Sequence, residues 1–326
     1  MNNCLVRPYV SPDWVNLAPL FAAGPFKPEG CDLQECAPEN HPVCEKIREA
    51  RGNDGGAWVV VQQNHVRAFG CFRKLPWDSQ QLRMSAARID YLLATGSYDE
   101  QRSAKDMLLE ELLVEAQNLG VWHMSVRVDA SDLSSLHVLE DAGFITVDGI
   151  LTFALDLKEH HAVEPGVDFK IRLATADDAA DAAALARTAF VSDRFHADPF
   201  IDRELADELH AAWARNSCEG KAADAVLIAE DQSGLLGFVT CKLPKAVGRN
   251  SHNSRTGTIA LVAVAPHARS RRVGYSLTMA ALEWFRSHGC EAVEVGTQLS
   301  NIPASRLYQA CGFRLKATSV SLRRML

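Results

Sequence analysis

Residues Val262–Leu277 read VAVAPHARSRRVGYSL. The first part continues Gly257–Val264, an unbroken β-branched and apolar run that fits a buried central strand. Pro266 ends the strand. Arg269, Arg271 and Arg272 crowd a short loop, and from Gly274 to His288 the apolar spacing becomes helical. A strand, a tight loop and a helix in this order leave the first backbone N–H groups of the helix unpaired, with the helix dipole behind them. Such a nest accepts a phosphate or pyrophosphate. The arginines add charge, and Gly274 permits close backbone approach.

Outward from this stretch the pattern keeps alternating. Asp168–Leu173 reads as a strand, and Ala176–Phe190 and Arg203–Asn216 as helices, with Thr175 as the first cap. Ala225–Glu230 and Gly237–Leu243 read as a hairpin turned by DQSG. Ala292–Thr297 is a buried strand, Ala304–Ala310 a short helix ended by Gly312, and Ala317–Met325 a closing strand. Asp177 and Asp178 at a helix start read as structural.

The whole pattern occurs twice. Gly120, Val126, Gly143 and Phe144 recur as Gly289, Val295, Gly312 and Phe313, at a constant offset of 169 residues. In the first copy Trp58–Gln63 and Val66–Arg73 form the hairpin, and Ser85–Leu93 is the central strand. Asp99–Leu119 is the helix, Ser125–Val128 a strand, and Leu151–Leu157 the closing strand. The expected architecture is therefore a mixed-sheet α/β (α+β) protein of two tandem domains, 1–157 and 167–326. The charged stretch 158–166 (KEHHAVEPG) joins them, and His160 and His161 within it read as solvated.

The 326 residues suit two domains, and a net charge of −7 argues against nucleic acid as a partner, because a phosphate backbone asks for clustered Lys and Arg. The N-terminus lacks the pattern of a signal peptide, and no run is long enough to span a membrane. Nine cysteines, an odd number scattered along the chain, fit reduced thiols and a cytoplasmic setting. Cys31, Cys36, His41 and Cys44 cluster, but without the close Cys-x₂-Cys pairs of zinc sites, so no metal is expected.

With these residues in view, the second copy resembles the GNAT superfamily of N-acetyltransferases. Arg269 takes the Arg/Gln position of that superfamily's cofactor loop and Gly274 its second glycine, while Arg272 stands where the first glycine is usual. NIPASRLYQACGF, Asn301–Phe313, is similar to its second motif. The resemblance implies acetyl-coenzyme A as co-substrate. It assigns contacts to Val262, Val264, Arg269, Arg271, Arg272 and Val273 along the strand and loop. Gly274, Tyr275, Ser276, Asn301 and Ser305 complete the set. Tyr308 would protonate the departing thiolate, and a backbone N–H near 262–264 would polarise the thioester carbonyl. Two plainer readings stand beside these: Asn301 as a helix cap and Tyr308 as a core aromatic. The first copy lacks the loop, with EQRSAK (Glu100–Lys105) and Leu139 opposite Arg269–Gly274 and Tyr308. It resembles a degenerate GNAT-like domain without cofactor.

SDRFHADPFI, Ser192–Ile201, with the tandem arrangement, resembles the acetyltransferases of nucleotide-linked 4-amino-4,6-dideoxy sugars. The resemblance places Arg194 and Asp198 at the substrate and makes His196 the acceptor of the amine proton; alternatively, the loop only packs over the cofactor. The central strand, Ile259–Val264, offers no ionisable side chain for that role. The expected partner is a small-molecule amine, with homodimer formation left open. Rival readings are a GNAT enzyme for another amine (a peptide N-terminus, an aminoglycoside or a polyamine) and a non-catalytic acyl-CoA sensor.

Overall fold

The computed structural model describes residues 4–23, 42–52, 55–158, 167–191, 193–244 and 255–326. They form two compact units. One holds the described residues of Met1–Val147 with Ser319–Leu326; the other holds those of Asp148–Ala246 and Ser254–Thr318. Cys31, Cys36, His41, Arg249 and the stretch 159–166 lie outside the described residues.

In chain order the elements up to the middle of the chain are β1 (Cys4–Pro8), α1 (Ala18–Ala23), α2 (Pro42–Gly52), β2 (Gly56–Gln62), β3 (His65–Lys74), α3 (Pro76–Leu82), β4 (Ala86–Ala94), α4 (Tyr98–Asn118), β5 (His123–Asp129), α5 (Leu133–Asp141) and β6 (Ile145–Asp156). After them come β7 (Lys170–Leu173), α6 (Ala179–Ala189), α7 (Arg194–Ala197), α8 (Arg203–Cys218), β8 (Ala225–Asp231), β9 (Gly234–Lys242), β10 (Thr256–Val264), α9 (Val273–Ser287), β11 (Ala292–Gln298), α10 (Ile302–Ala310) and β12 (Arg314–Met325). The mixed α/β fold is as the alternating pattern implies. The helices and strands expected from sequence are present within a few residues, while β1, α1, α2, α3, α5 and α7 were not among them.

The first unit's sheet runs β1-β2-β3-β4-β5-β12 and the second unit's runs β7-β8-β9-β10-β11-β6. Neighbours are antiparallel except the pairs β4/β5 and β10/β11, which are parallel and are crossed by α4 and α9 respectively. The last strand of each repeat is exchanged. Strand β6 pairs with β11 from Ala292↔Asp156 to Gln298↔Ile150, and β12 pairs with β5 from Ser319↔Asp129 to Met325↔His123. The sequence pattern had each half closing on its own last strand.

Each sheet is covered on both faces. In the second unit, α9 and α10 bury Leu277, Leu282, Phe285 and Tyr308 against Ile259, Val293 and Phe153 on one face; α6 and α8 bury Ala182, Ala186 and Ala214 against Ile228, Phe238 and Leu261 on the other. The alanines of α6 reflect close helix approach, for α6 and α8 pack against each other directly. Asp178, read as structural, forms an ion pair with Arg172 at 2.8 Å and accepts the backbone N–H of Thr175 at 2.7 Å. Arg172 lowers the carboxyl to about 2. All described cysteines are free. No helix of the described residues is long and apolar enough to cross a membrane.

Leu322 of β12 is fully buried in the first unit's cluster with Ile89, Leu108 and Val126. Leu322→Ala should therefore cost about 2–5 kcal/mol. The lost hydrogen-exchange protection should fall on residues 86–129. Loss confined to residues 256–298 would contradict the strand exchange.

Candidate functional site

The site begins where two strands part. Strand β10 pairs with β11 only from Thr256↔Ala292 to Ile259↔Val295. Beyond that, β10 stays with β9 as far as Val264↔Gly237, and β11 stays with β6 as far as Gln298↔Ile150. The parting coincides with a break in the β10/β9 register between Ile259 and Val262. There the Leu261 N–H, displaced from the ladder, donates to the buried Thr240 Oγ1 at 2.9 Å. Ala265 N–H also turns towards β9, donating to Leu236 C=O at 2.8 Å. Because backbone groups alternate along a strand, the N–H groups of Val262 and Val264 face the gap that β11 has left.

At the end of β10, Pro266–Ala268 forms a 3₁₀ turn and α9 starts at Val273. Ser270 and Arg272 sit in the left-handed region, with φ of 64° and 62°. The arginine in place of the usual first glycine therefore keeps the glycine's backbone conformation, at about 1–3 kcal/mol of strain. Arg269 and Arg272 are exposed, and their side chains make no hydrogen bond or ion pair to the described residues. Arg271 differs: it pairs with Asp231 at 2.9 Å and Asp168 at 3.2 Å. Two side chains that sequence reading passed over thus occupy it, and they raise its pKa.

Val273 is buried, and Tyr275 packs partly buried against the second unit's core. Ser276, in the first turn of α9, is 3% exposed and its hydroxyl has no partner. Thr278, two residues on, donates back to Gly274 C=O at 2.8 Å; Ser276 makes no such bond. An orphaned buried hydroxyl at a helix N-terminus is suited to an external acceptor such as a phosphate oxygen. A Cβ on Gly274 would lie 3.3 Å from Leu307 and 3.5 Å from Val264, so glycine keeps α9 close to both α10 and β10.

Asn301 caps α10, its Oδ1 accepting Ala304 N–H at 3.2 Å, and the Ser305 hydroxyl donates to Asn301 C=O at 3.2 Å. The cap reading of Asn301 holds, and its amide N–H₂ is left over. Tyr308 is 4% exposed between Phe153 and Phe313, with ring centroids 6.0 and 5.9 Å away. Its hydroxyl makes no hydrogen bond to the described residues. Burial raises its pKa well above that of a free phenol.

The remaining predicted residues lie on α7 and at its C-terminal end. His196 Nδ1 lies 2.6 Å from Asp193 Oδ2, and its Nε2 lies 2.9 Å from Asp207 Oδ1. Neither nitrogen is free for an amine proton, so the expected acceptor role of His196 is not supported by this geometry. Asp198 is 2% exposed and accepts Phe200 N–H at 3.0 Å. Arg194 stacks on Phe195, 4.3 Å from the ring centroid.

The first unit carries the same frame with a different start to its crossover helix. Its parallel pair also stops early, at Ile89↔Val126. However, α4 begins at Tyr98, capped by Ser97 and Glu100, so the residues opposite the arginine loop are already helical. Lys105 stands opposite Gly274, and Asp132 opposite Asn301. The Lys105 ammonium is 2% exposed and donates to Asp132 at 2.8 Å and to Ser134 at 2.8 Å. A buried ion pair fills the position that glycine and asparagine leave open in the second unit.

Residues 188–313 match the Acetyltransferase (GNAT) family. The chain is 25% identical over 238 residues to the spore coat polysaccharide biosynthesis protein SpsD of Bacillus subtilis, covering 73% of this chain and 76% of that one. It is 26% identical to the dTDP-fucosamine acetyltransferase of Escherichia coli O6:H1, over 66% of this chain and 88% of that one. It is 32% identical to a mycothiol acetyltransferase of Sanguibacter keddieii over 49% and 47%. Its fold is shared by a GCN5-related N-acetyltransferase from Sphaerobacter thermophilus (TM-score 0.66, 18% identity, 99% and 95% covered). A tandem GNAT protein from the clavulanic acid biosynthesis pathway shares it too (TM-score 0.60, 15% identity, 99% and 98% covered).

Removing one partner of a buried ion pair strands the other. Asp132→Ala should destabilise the protein by about 3–5 kcal/mol in urea titration. The apolar double substitution Lys105→Met with Asp132→Leu should recover most of that loss; equal losses in both variants would contradict the account of a plugged first unit.

Proposed function

We propose that the chain, whose residues 188–313 match the Acetyltransferase (GNAT) family, is an acetyl-CoA-dependent N-acetyltransferase, that its second unit alone catalyses transfer by direct attack of an amine, and that the amine belongs to a nucleotide-linked 4-amino-4,6-dideoxy sugar. The observation that carries the catalytic part is the parting of β10 and β11 beside the α9 N-terminus, where the side chains of Arg269, Arg272 and Ser276 have no partner among the described residues. The acceptor rests on the two relatives whose names speak of polysaccharide biosynthesis and of dTDP-fucosamine. A second reading, another small amine, is favoured by the mycothiol acetyltransferase match.

Acetyl-CoA supplies an activated acyl carbon and a thiolate leaving group. The α9 N-terminal N–H groups, Arg269, Arg272 and the Ser276 hydroxyl hold its pyrophosphate. The unpaired N–H groups of Val262 and Val264 point to the side on which a thioester carbonyl would lie, and donate as negative charge builds on its oxygen. Holding amine and thioester together removes the need for a covalent intermediate. As the new C–N bond forms and the C–S bond breaks, the Tyr308 phenol gives its proton to the sulfur. Its apolar surroundings keep it protonated throughout the neutral range, the form a donor needs. With both His196 nitrogens committed to carboxylates, the proton of the amine leaves to solvent.

Tyr308→Phe should keep the fold and acetyl-CoA affinity while lowering kcat by roughly 10²–10⁴-fold, measured as thiol release; unchanged kcat would remove Tyr308 from the mechanism. Arg269→Ala and Arg272→Ala should each weaken acetyl-CoA binding by about 10-fold or more, the value of a charge-assisted hydrogen bond. Arg271→Ala, already engaged with Asp231 and Asp168, should do much less. Equal losses at all three would mean a diffuse basic patch. Thiol release across dTDP-linked 4-amino-4,6-dideoxy sugars, aminoglycosides, peptides and polyamines tests the acceptor. Turnover confined to a panel member other than the sugar nucleotides would discard that assignment.

A further inference from the structure

Asp193, His196 and His210 converge inside the second unit, and none of them has a part in the transfer proposed above. Asp193 caps α7, His196 lies one turn on, and His210 comes from α8. All three are enclosed: Asp193 and His210 are 8% and 3% exposed, and the His196 side chain 4%. One ligand atom from each lies within 4.8 Å of the others.

The hydrogen bonds around the rings give each nitrogen a direction. His210 Nδ1 lies 2.9 Å from the Ala206 C=O, which only accepts, so Nδ1 carries the hydrogen. In the neutral ring Nε2 is then a lone pair, and it faces the Asp193 Oδ2 at 3.5 Å, which is also an acceptor. Two acceptors confront each other with no hydrogen between them. On the other ring, Nε2 meets the Asp207 carboxylate, leaving Nδ1 towards the same Asp193 oxygen. Each histidine thus has its outer nitrogen held by a carbonyl or carboxylate and its inner nitrogen aimed at a shared carboxylate. That is the second-layer arrangement by which proteins orient histidines towards a metal. The stacked rings, with centroids 5.5 Å apart, are fixed further by Phe190 over His210 at 4.9 Å.

We propose that Asp193 Oδ2, His196 Nδ1 and His210 Nε2 bind one divalent transition cation of the zinc class, oriented by Asp207 and the Ala206 carbonyl. Two imidazoles and one carboxylate suit Zn²⁺ or Co²⁺ over Mg²⁺ or Ca²⁺, whose preferred ligands are oxygens. Three protein ligands leave one tetrahedral position, which water fills. The ion would fasten the short helix α7 to α8 and replace the hydrogen bond between His196 and Asp193. The site is independent of the proposed acetyl transfer.

The test is titration of the metal-free full chain with Co²⁺ and, separately, Zn²⁺ against a chromophoric chelator. One ion per chain is expected, with the intense visible absorption of four-coordinate Co²⁺, no thiolate charge-transfer band in the near ultraviolet, and a raised melting temperature. Asp207→Asn should retain the fold and weaken binding about 10–100-fold, and His210→Gln should abolish it. No binding by the folded wild-type chain would overturn the proposal. So would binding indifferent to both substitutions, or thiolate bands placing the ion on cysteines.

Discussion

Beyond Ile259 and Val295 the two central strands of the second unit stop sharing hydrogen bonds, and the rest of the site depends on that parting. A strand that leaves its neighbour exposes N–H and C=O groups that must be satisfied. At the point of departure the buried Thr240 hydroxyl takes the displaced Leu261 N–H, so the irregularity costs no orphaned amide on the β9 side. On the other side the amides of Val262 and Val264 face away from β9 with no strand beside them. The exchanged strand β6 holds β11 in place over its full length, which lets β10 diverge without the sheet edge fraying.

The two units show how little separates a binding frame from a filled one. Both have the parallel pair that ends early, the crossover helix and the short helix after the last central strand. In the second unit the crossover helix starts late, after a loop in which Ser270 and Arg272 accept positive φ, and glycine lets its first turn pack close to α10 and β10. In the first, the helix starts at Tyr98 and covers the same ground with ordinary hydrogen bonds, while Lys105 and Asp132 close the remaining space. Burying an ammonium is costly unless it is paired, and the pull of burial lowers the Lys105 pKa against the opposing effect of Asp132. The filled frame keeps that cost low by supplying both Asp132 and Ser134.

Much of this was legible in the chain. The repeat at an offset of 169 residues, the strand–loop–helix at Val262–Leu277 and the Asn301–Phe313 segment fixed the fold class and the neighbourhood of the site. The exchange of β6 and β12 was not legible, because an alternating strand pattern states which face is buried and not which strand lies beside it. Asn301 was found but is engaged as a cap, a role the same residue type fits equally well. Arg271 looked like a phosphate ligand because Asp168 and Asp231 lie far from it in sequence. His196 misled for the same reason: Asp207 is on another helix, and His210 carries no spacing signal that would join it to Asp193.

The central claim is that one unit of this repeated fold takes acetyl-CoA and the other is closed to it. Isothermal titration of the full-length protein with acetyl-CoA measures this directly. The account predicts a single site per chain, with hydrogen-exchange protection gained over residues 262–276 and none gained over residues 98–105. Two sites per chain, or protection centred on α4, would contradict it.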